Sequence, residues 1–336
     1  MTGISLPKPA SKGNTSAFWR FISTGGGGLL IVVLLFVAIM SVVSKQFLST
    51  FNIFVLTREV STAVLIGFSQ MIVLAIGQMN LSVGAIGGLV VVVTGGLMEV
   101  YQWPIWAAVV AGLSVGVLAG MLNGFIITRT GLNAFIVTIA TASIFLGLNL
   151  GMTQAQPFYK IPAAYKAIGQ ARWLFVPRMS VVTVVVIILM AIFLYRMLAG
   201  RHLLAVGGNA NAAETSGIPV KRMVVLSHSI SGFLAAAAGM LWSAQLGSAQ
   251  PMIGQSWMLP SFAIPIIGGV ALAGGSVSLR GTVLAAFLIA IINNALVHLQ
   301  VDPYYVQFLL GLLILAAVAL NRLAQRQTGG RKGGVA

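Results

Sequence analysis

Apolar residues run along this chain in long blocks, separated by short polar joints, and not in the alternation of half-buried strands. A helix needs about 20 mostly apolar residues to cross a bilayer. Blocks of that order predict spans at 28–44, 60–77, 83–100, 104–127, 133–152, 180–197, 223–246, 257–273, 281–298 and 304–320. In hydrocarbon the backbone must satisfy its own hydrogen bonds, which leaves helix bundles or closed barrels. Barrel strands read as alternating segments of about 10 residues, and these runs are continuous. The expected fold class is therefore an all-α integral membrane protein of about ten transmembrane helices.

Composition strengthens that reading. Of 336 residues, 58% are hydrophobic and 7% charged, against about 25% charged in soluble domains. The four acids are Glu59, Glu99, Glu214 and Asp302, and the formal charge is +15. Such a balance on a soluble module would point to nucleic acid. Here the cations sit at helix ends, where they set topology and meet anionic lipid, so no nucleic-acid partner is expected. With the N-terminus inside, thirteen of the 19 Lys and Arg fall in cytoplasmic segments. An even number of spans with both termini cytoplasmic satisfies the positive-inside rule. A membrane location is expected.

The chain then divides into an N-terminal tail (1–27), a membrane domain (28–320) and a C-terminal tail (321–336). Two connections are long. Residues 153–179 form an outer loop, irregular because of Pro157, Pro162 and Pro177. Residues 198–222 form the longest cytoplasmic connection inside the bundle. Within it a short helix is expected from Asn209 to Ser216, capped by Asn209 or Asn211 and closed by Gly217. A bundle driven by a soluble motor needs a rigid knob on its cytoplasmic face, and this segment, carrying Glu214, suits the task.

Polar residues at membrane depth are costly unless they face a cavity or a partner helix. The stretch GQMNLSVGAIGG, Gly77 to Gly88, interrupts an otherwise apolar region with Gln78, Asn80 and Ser82. It reads either as a loop with glycine-mediated packing or as a broken helix lining a solute path. Gln70, Thr138, Thr141, Asn149, Gln245, Asn293 and Asn294 are further polar residues inside spans. Gln78, Asn80, Ser82, Asn293 and Asn294 are taken as candidates for the translocation path. A weak internal likeness aligns LNGFIITRTGLNAFI from Leu122 with INNALVHLQVDPYYV from Ile292, setting Asn123 on Asn293. In the assigned topology that would be an inverted repeat of five plus five spans, the other reading being chance likeness between Leu- and Ala-rich helices.

Catalytic machinery is not expected. The chain has no cysteine, no GxxxxGK[ST] phosphate loop and no paired carboxylates, and its three histidines are scattered. Trp103, Trp106, Trp173 and Trp242 lie near predicted membrane edges, as in an aromatic belt. An ion-coupled secondary transporter is the alternative reading. Such proteins need buried ionisable groups, whereas Glu59, Glu99 and Asp302 fall near predicted span ends.

Three segments resemble the membrane permease of the ribose-type family of bacterial ABC sugar importers. GGNANAAETSGIPV from Gly207 is similar to its cytoplasmic coupling segment. NLSVGAIGG is similar to a segment that usually begins Asp-Leu-Ser-Val-Gly, so Asn80 stands where Asp is usual. The block from Leu246 to Ala286 is similar to the family's late block, with Gly274 and Gly275 before Arg280-Gly281. The likeness covers roughly Ile53 to Leu320. It implies a ten-helix permease subunit in a dimeric pore of the bacterial inner membrane, with a second copy or a sister permease. It also implies partner ATPase subunits that bind ATP and Mg, a periplasmic solute-binding protein, and no cofactor in this chain. Contact with the ATPase is implied for Gly207, Gly208, Asn209, Ala212, Ala213, Glu214, Ser216, Gly217, Ile218 and Pro219. Pentoses, hexoses, inositol, autoinducer-type sugars and nucleosides all remain open as solutes.

Overall fold

The computed structural model describes residues 27–173 and 176–300, together with Asp302, Tyr305, Phe308, Gly311, Leu312 and Leu315. Most of the predicted span 304–320 and both tails lie outside the described residues.

The described chain is helical almost throughout. The helices are α1 (Gly27–Val43), α2 (Thr50–Leu74), α3 (Val83–Glu99), α4 (Ile105–Thr130), α5 (Ala134–Thr153), α6 (Ala163–Gln170), α7 (Arg178–Tyr195), α8 (Leu198–Gly208), α9 (Ala210–Thr215), α10 (Val220–Leu246), α11 (Met258–Ile267) and α12 (Leu279–His298). A two-residue ribbon pairs β1 (Arg172–Trp173) with β2 (Val176–Pro177), antiparallel. Among the described helices, α2, α4, α5, α7, α10 and α12 are long and apolar enough to cross a membrane, and α1 and α3 are shorter apolar helices. The protein is an all-α, multi-pass membrane protein.

Burial separates centre from periphery. Helices α2, α10 and α12 are mostly inside the bundle, whereas α4, α5 and α7 turn most of their surface outward. That outward surface is apolar, as at Phe125, Ile144 and Leu189, and hydrocarbon is its natural solvent. Small residues draw the central helices together. On α4, Ala108, Gly112, Gly116, Gly120 and Gly124 recur every four residues and are buried. A Cβ on Gly116 would stand 2.5 Å from the Cβ of Ala236 on α10. This close approach is the packing that helices use in lipid, where no hydrophobic force drives association.

Most predicted boundaries hold to within a few residues, and four regions differ. Helix α2 begins at Thr50, where hydropathy placed its start at 60. Ser49 caps it by accepting from the Asn52 N–H (3.2 Å), and the polar turns carrying Thr57, Arg58 and Glu59 lie inside the helix. The predicted span 257–273 ends as a helix at Ile267, because Gly268 crosses the start of α12 so closely that a Cβ would lie 2.6 Å from the Thr282 nitrogen. The loop 153–179 contains α6, whose Tyr165 hydroxyl donates to the Met240 carbonyl (3.0 Å). The connection 198–222 contains a second helix, α8, built on the buried positions Gly200, Leu203 and Val206. Hydropathy averages miss both added helices because each buries only a narrow stripe.

Candidate functional site: a half-open path and a cytoplasmic knob

Between α2 and α3 the chain leaves helix for Ala75 to Ser82, and this break is held by a network of side-chain hydrogen bonds. Asn80 is wholly buried. Its Nδ2 donates to Ser231 Oγ (2.9 Å), and its Oδ1 accepts from the Ser82 N–H (3.0 Å) and the Ser82 hydroxyl (2.6 Å). Gln70, with its amide turned to satisfy both groups, donates to the Asn80 carbonyl (2.9 Å) and accepts from the Asn80 N–H (3.2 Å). Asn123 Nδ2 donates to Ser82 Oγ (2.7 Å), and the Leu81 N–H donates to Thr138 Oγ1 (3.1 Å). Gln78 Oε1 lies 3.0 Å from His228 Nε2. Side chains of α2 and α5 thus answer backbone groups of the break, as irregular backbone at membrane depth requires, and side chains of α4 and α10 bond its polar side chains.

The five path candidates consequently separate. Asn80 and Ser82 belong to this closed network, and Gln78 joins it through His228. Asn294 makes a reciprocal amide pair with Asn52, at 2.9 and 2.8 Å. Asn293, one residue earlier, lines a cavity of about 510 Å³ between α2, α10, α11 and α12. Glu59, Trp242, Gln245, Gln255 and Trp257 line the same cavity. Three of its polar residues each keep a buried oxygen with no partner: Glu59 Oε2, Gln245 Oε1 and Asn293 Oδ1. The Trp242 and Trp257 rings stand 5.8 Å apart with planes inclined at 57°. A second cavity of about 360 Å³, reached by Asn149 and Ser143, shares Gln255 and Met258 with the first.

Sequence reading missed this cavity. Glu59 fell at a span end only because α2 was begun too late, and Trp242 was assigned to the aromatic belt. Gln245 was noted as a polar residue in a span but not grouped with Asn293. A tertiary arrangement brings them together, and no spacing along the chain encodes it.

At the opposite end of α10, three backbones meet. A Cβ on Gly207, in the last turn of α8, would collide with the Ala75 carbonyl oxygen at the end of α2. The Gly275 N–H donates to that same carbonyl (3.0 Å) from the turn between α11 and α12. Gly274, at φ 89°, stands so close that a Cβ there would lie 2.6 Å from the Gly77 nitrogen. From this junction α9 projects. Asn209 caps it, Oδ1 accepting from the Ala212 N–H at 3.0 Å, and Gly217 closes it at φ 82°. Ala213 is buried beneath, while Asn209, Ala212, Glu214, Ser216, Gly217 and Pro219 are exposed and Gly208 is open to the surroundings. Ile218 is half-buried.

Apolar membrane-crossing helices around an internal cavity, with a compact helical knob at one end, define a polytopic membrane permease. Comparison with known proteins narrows the class. Residues 52–318 match the family described as the permease component of the branched-chain amino acid transport system. The chain is 36% identical to the D-allose transport system permease protein of Escherichia coli (strain K12), covering 87% of this chain and 90% of that one. It is 34% identical to the ribose import permease protein of Bacillus subtilis (strain 168), over 86% and 90% of the two chains. It is 30% identical to the L-arabinose transport system permease protein of Escherichia coli (strain K12), over 87% and 90%. No solved structure matches. The chain belongs to this permease family. It is the membrane subunit of an ABC import system and not an enzyme, ATP hydrolysis being the work of partner ATPases.

Proposed function

We propose that this chain forms half of the translocation path of an inner-membrane importer for a monosaccharide, and that the segment 198–222 couples it to ATP hydrolysis. The solute class is supported by the relatives, whose names specify allose, ribose and arabinose. The coupling role is carried by the junction of Gly207, Ala75 and Gly275. A push on the exposed knob α9 reaches the end of α2 and the turn between α11 and α12 through backbone contact at Gly207, with no flexible side chain between. Glu214 is the charged group exposed on α9, and we assign it to the ATPase groove together with Gly207 to Pro219.

We further propose ten spans in two inverted halves, with both termini cytoplasmic and 153–179 on the periplasmic face. Helix packing supports the repeat. Pairing α2 with α10, α3 with α11 and α4 with α12 makes the contact of α2 on α12 the counterpart of α10 on α4. The contact of α2 on α11 likewise becomes the counterpart of α10 on α3, and all four contacts occur. In this relation Asn123, engaged in the closed network, corresponds to Asn293, at the open cavity. The inner half is then shut by Asn80 and Ser82 while the outer half stands open, which is one state of an alternating-access cycle. Gln78 and Asn294 hold this arrangement through His228 and Asn52.

Partners follow from the reading: two ATPase subunits holding ATP and Mg, a periplasmic solute-binding protein on the outer face, a second permease copy or sister chain, and surrounding lipid. Co-purification from native membranes in mild detergent, with mass spectrometry of the bound proteins, tests it. An ATPase subunit is expected in the eluate. A chain that repeatedly purifies alone would favour an ion-coupled transporter, with Glu59 as the buried ionisable group.

A further inference from the structure

We infer that the cavity between α2, α10, α11 and α12 is a transient monosaccharide subsite, in which Glu59, Gln245 and Asn293 accept hydrogen bonds from sugar hydroxyls beside the Trp242 and Trp257 rings. This rests on the importer reading and names the place where the solute pauses.

Three observations carry it. First, leaving a buried acceptor unpaired is unfavourable, yet Glu59 Oε2, Gln245 Oε1 and Asn293 Oδ1 are all in that state and all on residues lining one cavity. At the break, Gln70 answers both backbone groups of Asn80, and the unpaired atoms near it, Asn123 Oδ1 and His228 Nδ1, belong to side chains whose other polar atom is bonded. Unpaired oxygens gathered from three different stretches of chain therefore mark a place kept for an external donor. Second, the unpaired groups are acceptors and one is a carboxylate. A solute with several O–H donors satisfies them after small side-chain rotations. A solute carboxylate, as on a free amino acid, has no proton to give there and would set acceptor against acceptor. Third, the half-buried Trp242 ring, backed by the buried Trp257 ring 5.8 Å away, offers an apolar face that suits the C–H surface of a sugar ring. The volume of about 510 Å³ lies within the range of about 300–1,000 Å³ usual for small-molecule sites. With only three polar residues committed, the hold is weak, as passage requires.

The test uses the complete importer, permease with ATPase and binding protein, in proteoliposomes supplied with D-ribose, D-allose or L-arabinose. Glu59→Gln and Asn293→Leu are each expected to lower maximal uptake of the transported sugar by about tenfold, the equivalent of one charge-assisted or well-buried hydrogen bond. The sugar concentration for half-maximal uptake should not move, because the binding protein sets capture. The thermal midpoint of purified Asn293→Leu should equal or exceed that of the wild type, since its unpaired acceptor is gone, and that of Glu59→Gln, which keeps the shape and two polar atoms, should match the wild type. Wild-type uptake by both variants would overturn the subsite and leave the importer reading intact. Reduced uptake with a lowered midpoint would also overturn it, by assigning these residues to packing. Wild-type vesicles that take up none of the three sugars would overturn the monosaccharide reading and the subsite with it.

Discussion

Asn80 and Asn293 are the same residue type, each beside or within a predicted span, and their surroundings give them opposite duties. Asn80 satisfies Ser82 twice and Ser231 once. Asn80→Leu would strand those groups in the interior, at about 1–3 kcal/mol for each buried polar group left unpaired. We expect a clearly lower thermal midpoint in detergent and a lower membrane level, so that any loss of uptake follows loss of protein. Asn80→Asp, the residue usual in the ribose-type family, keeps both acceptor bonds and lets the Ser231 hydroxyl turn to donate. It should cost less than about 2 kcal/mol, measured by the same melt. Asn293→Leu, by contrast, should leave protein level intact.

At the scale of elements, the junction under α8 makes a contrast between neighbours. Gly207→Ala drives a methyl into the Ala75 carbonyl, whereas a Cβ on Gly208 meets nothing within 4 Å. Overpacking costs about 1–3 kcal/mol, so Gly207→Ala should lower the melting midpoint and weaken solute-stimulated ATPase activity. Gly208→Ala should match the wild type in melting midpoint, so that any change it makes in stimulated ATPase activity reports the ATPase contact alone. On α9, Glu214→Lys reverses the charge of an exposed side chain and leaves the cap and Ala213 untouched. The expected result is a folded permease whose ATPase is no longer stimulated by solute and binding protein. Unchanged stimulation would remove Glu214 from the coupling contact.

For the whole molecule, sidedness is the property on which the transport direction rests. The chain has no cysteine, so single cysteines report cleanly. Thr215→Cys on α9 should resist a membrane-impermeant maleimide in spheroplasts and react after lysis. Tyr159→Cys, at an exposed residue of the 153–179 connection, should react in both. The reverse pattern would invert the topology and place the open cavity on the cytoplasmic side.

Much of this protein was settled by its sequence. Runs of apolar residues with few charges leave lipid as the only adequate solvent, so the helical membrane class follows directly, and so do most helix positions. The cap at Asn209 and the stop at Gly217 were legible because capping is local chemistry within one turn. Family membership was legible from three ordered segments. The candidate path was not. Polar type and depth marked Asn80, Ser82, Asn293 and Asn294 alike, since a sequence shows that a polar group is buried in a span but not whether a neighbour answers it. Glu59 was set at a span edge because an averaged hydropathy cannot see a helix extended through polar turns by a Ser49 cap and by packing against α10 and α12. Only tertiary structure could decide which polar groups are paired, because partners such as Ser231 for Asn80 and Asn52 for Asn294 lie on helices distant in sequence, and only it could draw Glu59, Gln245 and Asn293 around a single cavity.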